Sequence, residues 1–204
     1  MISAFPSVLL LLLCLPLSAA VTSAQDRPTR FEVAPVFSNY HAHKFATLRP
    51  DRFEFGVRFT WNWFPHLAIE GEYDSTLKQE DLQSSFEGGH FSQGLFGIKS
   101  GMRWKSWGAF VKFRPGFISF SDAITSANFT TGKITFGRLT DPAFDAGGGA
   151  EFLLSRHWLF RYDASALIVH QGPVSFVNSS GQRVTFVAST FSNFESEVGV
   201  AFRF

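Results

Sequence analysis

The sequence predicts an all-β fold: an eight-stranded antiparallel up-and-down transmembrane β-barrel. Three observations carry that reading. Eight segments along the 204-residue chain alternate apolar and polar side chains with period two, the strand repeat and not the helical one. The connections between these segments are alternately tight and long. All five tryptophans stand beside the tight ones.

The first segment, "RFEVAPVFS", sets Phe31, Val33, Pro35 and Phe37 on one parity. The second, "RFEFGVRFTWNW", opposes Phe53, Phe55, Val57, Phe59, Trp61 and Trp63 to Glu54, Gly56, Arg58, Thr60 and Asn62. "HLAIEGEYD" opposes Leu67, Ile69 and Tyr73 to Glu70 and Glu72, and "LFGIKSGMRW" opposes Phe96, Ile98, Met102 and Trp104 to Lys99 and Arg103. In "WGAFVKFRPGF", Trp107, Val111, Phe113 and Phe117 stand against Lys112 and Arg114; in "AFDAGGGAEFL", Phe144, Ala146, Ala150 and Phe152 stand against Asp145 and Glu151. "WLFRYDASAL" opposes Trp158, Phe160, Tyr162, Ala164 and Ala166 to Arg161, Asp163 and Ser165. The last, "FESEVGVAFRF", opposes Phe194, Val198, Val200, Phe202 and Phe204 to Glu195, Glu197 and Arg203. Pro35 and Pro115 have no N–H to give a ladder, so a bulge or an early strand end is expected at each.

Tight connections fall around "FPH", "KS" and "SRH". The other four, "NYHAHKFATLRPD", "STLKQEDLQSSFEGGHFSQG", "SDAITSANFTTGKITFGRLTDP" and "IVHQGPVSFVNSSGQRVTFVASTFSN", are long and polar and are expected to be loops. Short turns at one rim and long loops at the other are the mark of an up-and-down barrel in a membrane. Trp61, Trp63, Trp104, Trp107 and Trp158 then form one interfacial belt, where an indole keeps its ring in hydrocarbon and its N–H near water.

The start of the chain has an apolar run from Val8 to Leu17 followed by small residues, the layout of a secretory signal peptide over residues 1–24, with the barrel domain over 25–204. No Lys or Arg precedes the run, and Pro16 interrupts it well short of the ~20 residues of a spanning helix. Cys14, the only cysteine, lies inside it, so the mature chain is expected to form no disulfide. Leu13 before Cys14 argues against a lipid-anchored cysteine. The net charge of +1 gives no footprint for a nucleic-acid partner. The 26 phenylalanines are more than a soluble domain of this size buries, so an apolar surrounding is expected to cover them.

Volume decides which face is inside. Eight strands enclose a space just wide enough for side chains, and the Phe and Trp of the apolar parity are too large for it. The interior is therefore expected to hold Glu54, Glu70, Glu72, Asp145, Glu151, Asp163, Glu195 and Glu197 with Arg58, Lys99, Arg103, Lys112, Arg114, Arg161 and Arg203. Gly56, Gly97, Gly101, Gly147, Gly149 and Gly199 make room among them. Buried charges persist only when paired, so this set reads as a salt-bridged plug and not as a catalytic acid pair or an ion pathway.

The chain resembles the small eight-stranded outer-membrane barrels, the OmpA/OmpX-like superfamily of Gram-negative bacteria, over residues 25–204. The resemblance implies residence in the outer membrane among lipid and lipopolysaccharide, and recognition of the C-terminal strand by the assembly machinery through Phe204, Phe202 and Val200. No peptidoglycan-binding domain is expected after the barrel. The function expected is a structural or surface-interaction role through four long extracellular loops with an unspecified partner, without nucleic acid, cofactor, metal or catalysis.

Two alternatives have residues to point to. Some barrels of this size resemble lipid A deacylases with a His-x-Ser motif, matched here by His90, Phe91 and Ser92; Gln93 stands where Asn is usual, and no carboxylate in the fifth strand is obviously placed to orient His90. A soluble, exported ligand-binding barrel would turn the apolar parity inward instead. His41 and His43 could put two rings on one side of an extended segment, but two ligands do not make a metal site, and they read as solvated loop residues. Asn128-Phe-Thr and Asn178-Ser-Ser match a glycosylation pattern that means little on a bacterial surface.

Overall fold

The computed structural model describes residues 29–41, 51–76 and 90–204, so the expected signal peptide and His43 lie outside the described residues. Ten strands follow one another: β1 (Phe31–His41), β2 (Asp51–Phe64), β3 (Leu67–Ser75), β4 (Phe91–Arg103), β5 (Trp107–Asn128), β6 (Lys133–Leu153), β7 (Trp158–Gln171), β8 (Val174–Val177), β9 (Arg183–Phe186) and β10 (Ser189–Arg203). The order β4-β3-β2-β1-β10-β7-β6-β5 closes on itself through β4–β5 pairing, and every pair in that ring is antiparallel. Eight strands thus make a closed up-and-down barrel, which leaves no sheet edge in the wall. The seam between β1 and β10 ends in a reciprocal pair: Phe31 N–H donates to Phe204 O (3.1 Å) and Phe204 N–H to Phe31 O (3.0 Å).

The prolines behave differently from the expectation. β1 runs through Pro35 and β5 through Pro115, and the register on either side is unshifted. Pro35 pairs with Val57 and Pro115 with Phe144; what each proline costs is ladder contact on its other side, between Val33 and Val36 towards β10 and between Phe113 and Gly116 towards β4. A missing N–H on one side omits a ladder step without adding a residue, so no bulge is needed. The bulges lie elsewhere, near Trp63 and between Phe120 and Ser126.

Two of the four long connections are also more ordered than expected. β5 and β6 continue as a hairpin to a turn at residues 129–132, and the β7–β10 connection contains the β8–β9 hairpin, whose β8 pairs in parallel with Ala127 and Asn128 of β5. The two turns are clipped together, because Phe129 N–H donates to Val177 O (2.9 Å) and Thr130 Oγ1 to Asn178 O (2.8 Å). Asn128 and Asn178 are turn residues: Asn128 Oδ1 accepts from the Thr130 and Thr131 N–H groups, and Asn178 Oδ1 from those of Ser180 and Gln182. Gly132 and Gly181 close the turns at φ of 68° and 78°, where a side chain would be strained.

The wall is inverted relative to a soluble barrel. Phe53, Phe55, Val57, Phe59, Phe96, Ile98, Val111, Phe113, Phe194 and Val198 are exposed on the outside, whereas Glu54, Arg58, Thr60, Lys99, Lys112, Arg114, Glu195 and Glu197 on the other parity are buried within. At the tight-turn end the five tryptophans are all exposed, and rings touch in series from Trp158 through Phe202, Phe204, Phe31 and Trp61 to Trp63. Trp104 and Trp107 stack at 4.2 Å on the other side of the barrel. Towards the long-loop end the outward parity changes to Asn39, Ser75, Ser92, Ser119, Thr140, His170 and Ser192, with Ser119 and Thr140 hydroxyls 3.0 Å apart. The span from Phe144 to Phe152 rises roughly 20 Å at about 3.3 Å per residue and about 40° tilt, close to the ~25 Å apolar band of membrane barrels.

Candidate functional site

The lumen is the most chemically loaded part of the molecule, and alternation puts its side chains there. Of the fifteen charged residues expected inside, all but Arg103 are buried, and the Arg103 side chain is three-quarters covered. Glu32, Asp74 and Asp141 are also buried and were not foreseen. Their strands offered the signal: Glu32 shares the parity of Ala34 and Val36, and Asp74 that of Glu70 and Glu72.

The charges interlock across the barrel. Near the tight-turn end Arg103 reaches Glu32 (2.9 Å) and Glu151 (2.7 Å), Arg203 reaches Glu32 (3.3 Å), and Lys99 binds Glu151. Arg161 pairs with Glu70 and with Asp163 (2.7 Å). Its guanidinium also lies 4.1 Å from the centroid of the inward-facing Phe110 ring, a cation–π contact. Gly149 makes space for that ring, since a Cβ there would stand 2.8 Å from it and closer still to the Tyr162 carbonyl.

The central layer is fully enclosed. Arg114 of β5 binds Asp145 of β6 (2.6 Å), Glu72 of β3 (2.8 Å) and Glu197 of β10 (2.9 Å). Lys112 sits between Glu197 (3.0 Å), Asp145 (3.2 Å) and Asp163 (3.2 Å), and Arg58 of β2 bonds Glu72, Glu197 and Asp163 (3.3 Å). Above them Gln93 donates to Asp74 (3.2 Å) and Glu195 (2.6 Å). Gly56 is required beside Asp74, because any Cβ would overlap that carboxylate.

An apolar cap, also unforeseen, lies over the charges at the long-loop end. Tyr40, Phe91, Leu95, Ile118, Ala143, Leu167 and Val169 are buried together, with Phe120 against them and the Tyr40 and Phe120 rings 5.6 Å and 5.2 Å from Phe91. These residues occupy the inward parity just where the sequence pattern predicts loops or strand ends. At the opposite end a cavity of about 20 Å³, bordered by Lys99, Arg103 and Glu151, has room for about one water.

His90 and Ser92 stand at the start of β4. His90 is exposed and its N–H donates to Ser121 Oγ (2.8 Å); Ser92 lies on the outward parity opposite Ser75 and Ser119, so its ladder partners are serines and not a base or an orienting carboxylate. His41 closes β1 in register with Asp51 and Phe194.

The chain matches no protein-family model, and no curated protein is similar to it in sequence. Solved structures are similar in fold. The N-terminal β-barrel domain of OprF from Pseudomonas aeruginosa superposes with a TM-score of 0.56 at 8% identity, covering 86% of this chain and 98% of that one. The outer membrane protein OprG from the same bacterium gives 0.55 at 10% identity, covering 86% and 96%. Neisserial surface protein A gives 0.50 at 12% identity, covering 85% and 96%. Closed ring, apolar outer wall and these neighbours together define the class by fold: an eight-stranded antiparallel up-and-down β-barrel like those of the small outer-membrane proteins.

Proposed function

We propose that the protein is an exported, integral barrel of the Gram-negative outer membrane that conducts no ions and works through the surface it raises beyond the lipid. Residues 1–24 act as the signal peptide and 25–204 as the barrel domain, with the tight turns periplasmic and the long connections extracellular. The observation that carries the reading is the cross-lumen pairing: Arg58 and Arg114 each tie together carboxylates from three other strands beneath an apolar cap, so an ion entering the lumen would have to break buried pairs. A pore needs a wetted path, and side chains that fill an eight-stranded lumen deny it.

Membrane lipid and lipopolysaccharide surround the wall, and the assembly machinery engages the C-terminal strand through Val200, Phe202 and Phe204, which share the outward parity. A catalytic role is not part of this reading, since His90 and Ser92 are not joined into a triad by any bond described above. A soluble ligand barrel is disfavoured by the exposed Phe and Trp of the wall. Reconstitution into planar bilayers tests the central claim: inserted, heat-modifiable protein should give no steady conductance. Stable porin-like steps from protein of verified fold would overturn it.

A further inference from the structure

At the tight-turn end, every connection and the β1–β10 seam carry a basic residue. In ring order these are His66 between β2 and β3, Arg30 at the entry to β1, Arg156 and His157 between β7 and β6, and Lys105 between β5 and β4. All five side chains are exposed. The acidic side chains at that end, Glu32 and Glu151, are buried and already hold Arg103, Arg203 and Lys99. Among the described residues no acidic side chain pairs with Arg30, Lys105 or Arg156, so three permanent cations stand around the rim with no counter-ion from the described chain.

Backbone bonds fix where these charges stand. Asn62 N–H donates to Arg30 O (2.8 Å), Gly101 N–H to His66 O (3.0 Å), Leu153 N–H to Ser106 O (2.9 Å) and Arg203 N–H to His157 O (2.9 Å). With the Phe31–Phe204 pair, these bonds tie each connection to a neighbouring strand, so the rim is a hoop and not a set of free loops. Trp104 N–H donates to Trp107 O (2.7 Å), which holds Lys105 in a closed turn beside two stacked indoles. Ser155 Oγ accepts from the N–H groups of His157 (3.3 Å) and Trp158 (3.2 Å) and so closes the turn that carries Arg156. The exposed tryptophans stand on the wall beside these turns, at the depth where an aromatic belt meets lipid headgroups. That places the cations at the level of the phosphates.

We propose that the tight-turn rim binds the phosphodiester groups of anionic phospholipid, of the phosphatidylglycerol type, through Arg30, Lys105 and Arg156. The proposal rests on the membrane reading above, in which these turns are periplasmic, and adds a lipid class to it. A guanidinium offers paired N–H donors that match two phosphate oxygens, and an ammonium offers a point charge. A choline or ethanolamine headgroup carries its own cation, which offsets the attraction, whereas a glycerol headgroup leaves the phosphate charge uncompensated. Basic residues at a membrane surface each favour anionic lipid by roughly fivefold at low salt, and averaging over all the lipid around the barrel lowers this to about threefold.

All five tryptophans lie at this rim, so their fluorescence reports on the lipid there and not at the long-loop end. The full barrel is reconstituted in vesicles of phosphatidylcholine and phosphatidylglycerol in equal amounts, with brominated, quenching chains on one lipid or on the other. Both leaflets are alike, so the direction of insertion does not matter. Quenching should favour phosphatidylglycerol about threefold at low salt and approach equality in about 0.5 M sodium chloride. The triple variant Arg30→Gln, Lys105→Gln, Arg156→Gln should show no preference, and Arg30→Lys with Arg156→Lys, which keeps the charges, should stay within about twofold of the native ratio. Heat-modifiable migration verifies the fold of both variants. Equal quenching of the native protein by the two lipids, or an undiminished preference in the Gln variant, would overturn the proposal. So would loss of the preference on adding inorganic phosphate at constant ionic strength, since a free anion would then be the ligand. Quenching by neither lipid would overturn membrane residence as well, whereas equal quenching by both leaves that reading standing, so the two fail distinguishably.

Discussion

Replacing Arg114 with Met should be among the most damaging single changes in the barrel. Its side chain is completely buried and binds three carboxylates at 2.6 to 2.9 Å. In the central layer Arg58, Lys112 and Arg114 face Glu72, Asp145, Asp163 and Glu197, with Arg161 also on Asp163, so the variant leaves three cations, one of them shared with Glu70, among the four carboxylates. Each charge-assisted bond is worth about 1.5–3 kcal/mol, and stranding buried carboxylates typically costs about 3–5 kcal/mol in total. Asp145→Asn in the same layer strands no carboxylate, keeps the shape and retains an acceptor for Arg114. It should cost only about 1–2 kcal/mol, near the value of one ordinary bond. Denaturant unfolding of the protein in lipid vesicles, followed by fluorescence of the rim tryptophans, measures both. Equal costs for the two variants, or a cost below about 1 kcal/mol for Arg114→Met, would refute the reasoning and mean that water screens the lumen.

Two further outcomes follow from the wall. Val57 is exposed between Phe53 near one rim and Trp61 at the other, so Val57→Arg should cost roughly 2–4 kcal/mol in vesicle unfolding, and a cost near zero would mean that the faces are exchanged. Deleting Phe204 removes the reciprocal bonds to Phe31 and a member of the ring series, and should lower the yield of heat-modifiable barrel in the outer membrane, whereas Phe53→Leu should not; an unchanged yield would reduce Phe204 to one more wall residue.

The wall and the charged lumen were legible because period two is a direct image of a two-sided strand, and the tight turns and the tryptophans marked one end of the barrel. The rest failed for identifiable reasons. Phe91, Ile118, Leu167 and Val169 are apolar but inward-facing, and a rule that assigns apolar residues to the outside cannot find a dry cap inside. The outer half of β5 is rich in Ser, Thr and Asn, which read as loop, and β8 and β9 are only four residues each; the β5–β8 pairing that ties the two hairpins together is between segments distant in the chain. Pro115 leaves its strand undisturbed because its missing N–H costs contact with β4 alone while pairing with β6 continues, and the sequence does not display which neighbour an N–H faces.

The seam has a consequence for the order in which the barrel can form. Every other pair in the ring joins strands that are successive around it and linked by one connection, so each hairpin can form locally soon after synthesis. Closure of β1 on β10 brings together Glu32 and Arg203, 171 residues apart. For a flexible chain that closure alone carries an entropic cost of about 4–5 kcal/mol, scaling as (3/2)RT ln n, and the preformed hairpins shorten the effective loop. Until it happens the sheet has two open edges that hydrocarbon cannot satisfy. The meeting of the two ends is thus the contact of the ring with the largest chain-entropy cost, and the Phe31–Phe204 bonds fasten its rim end.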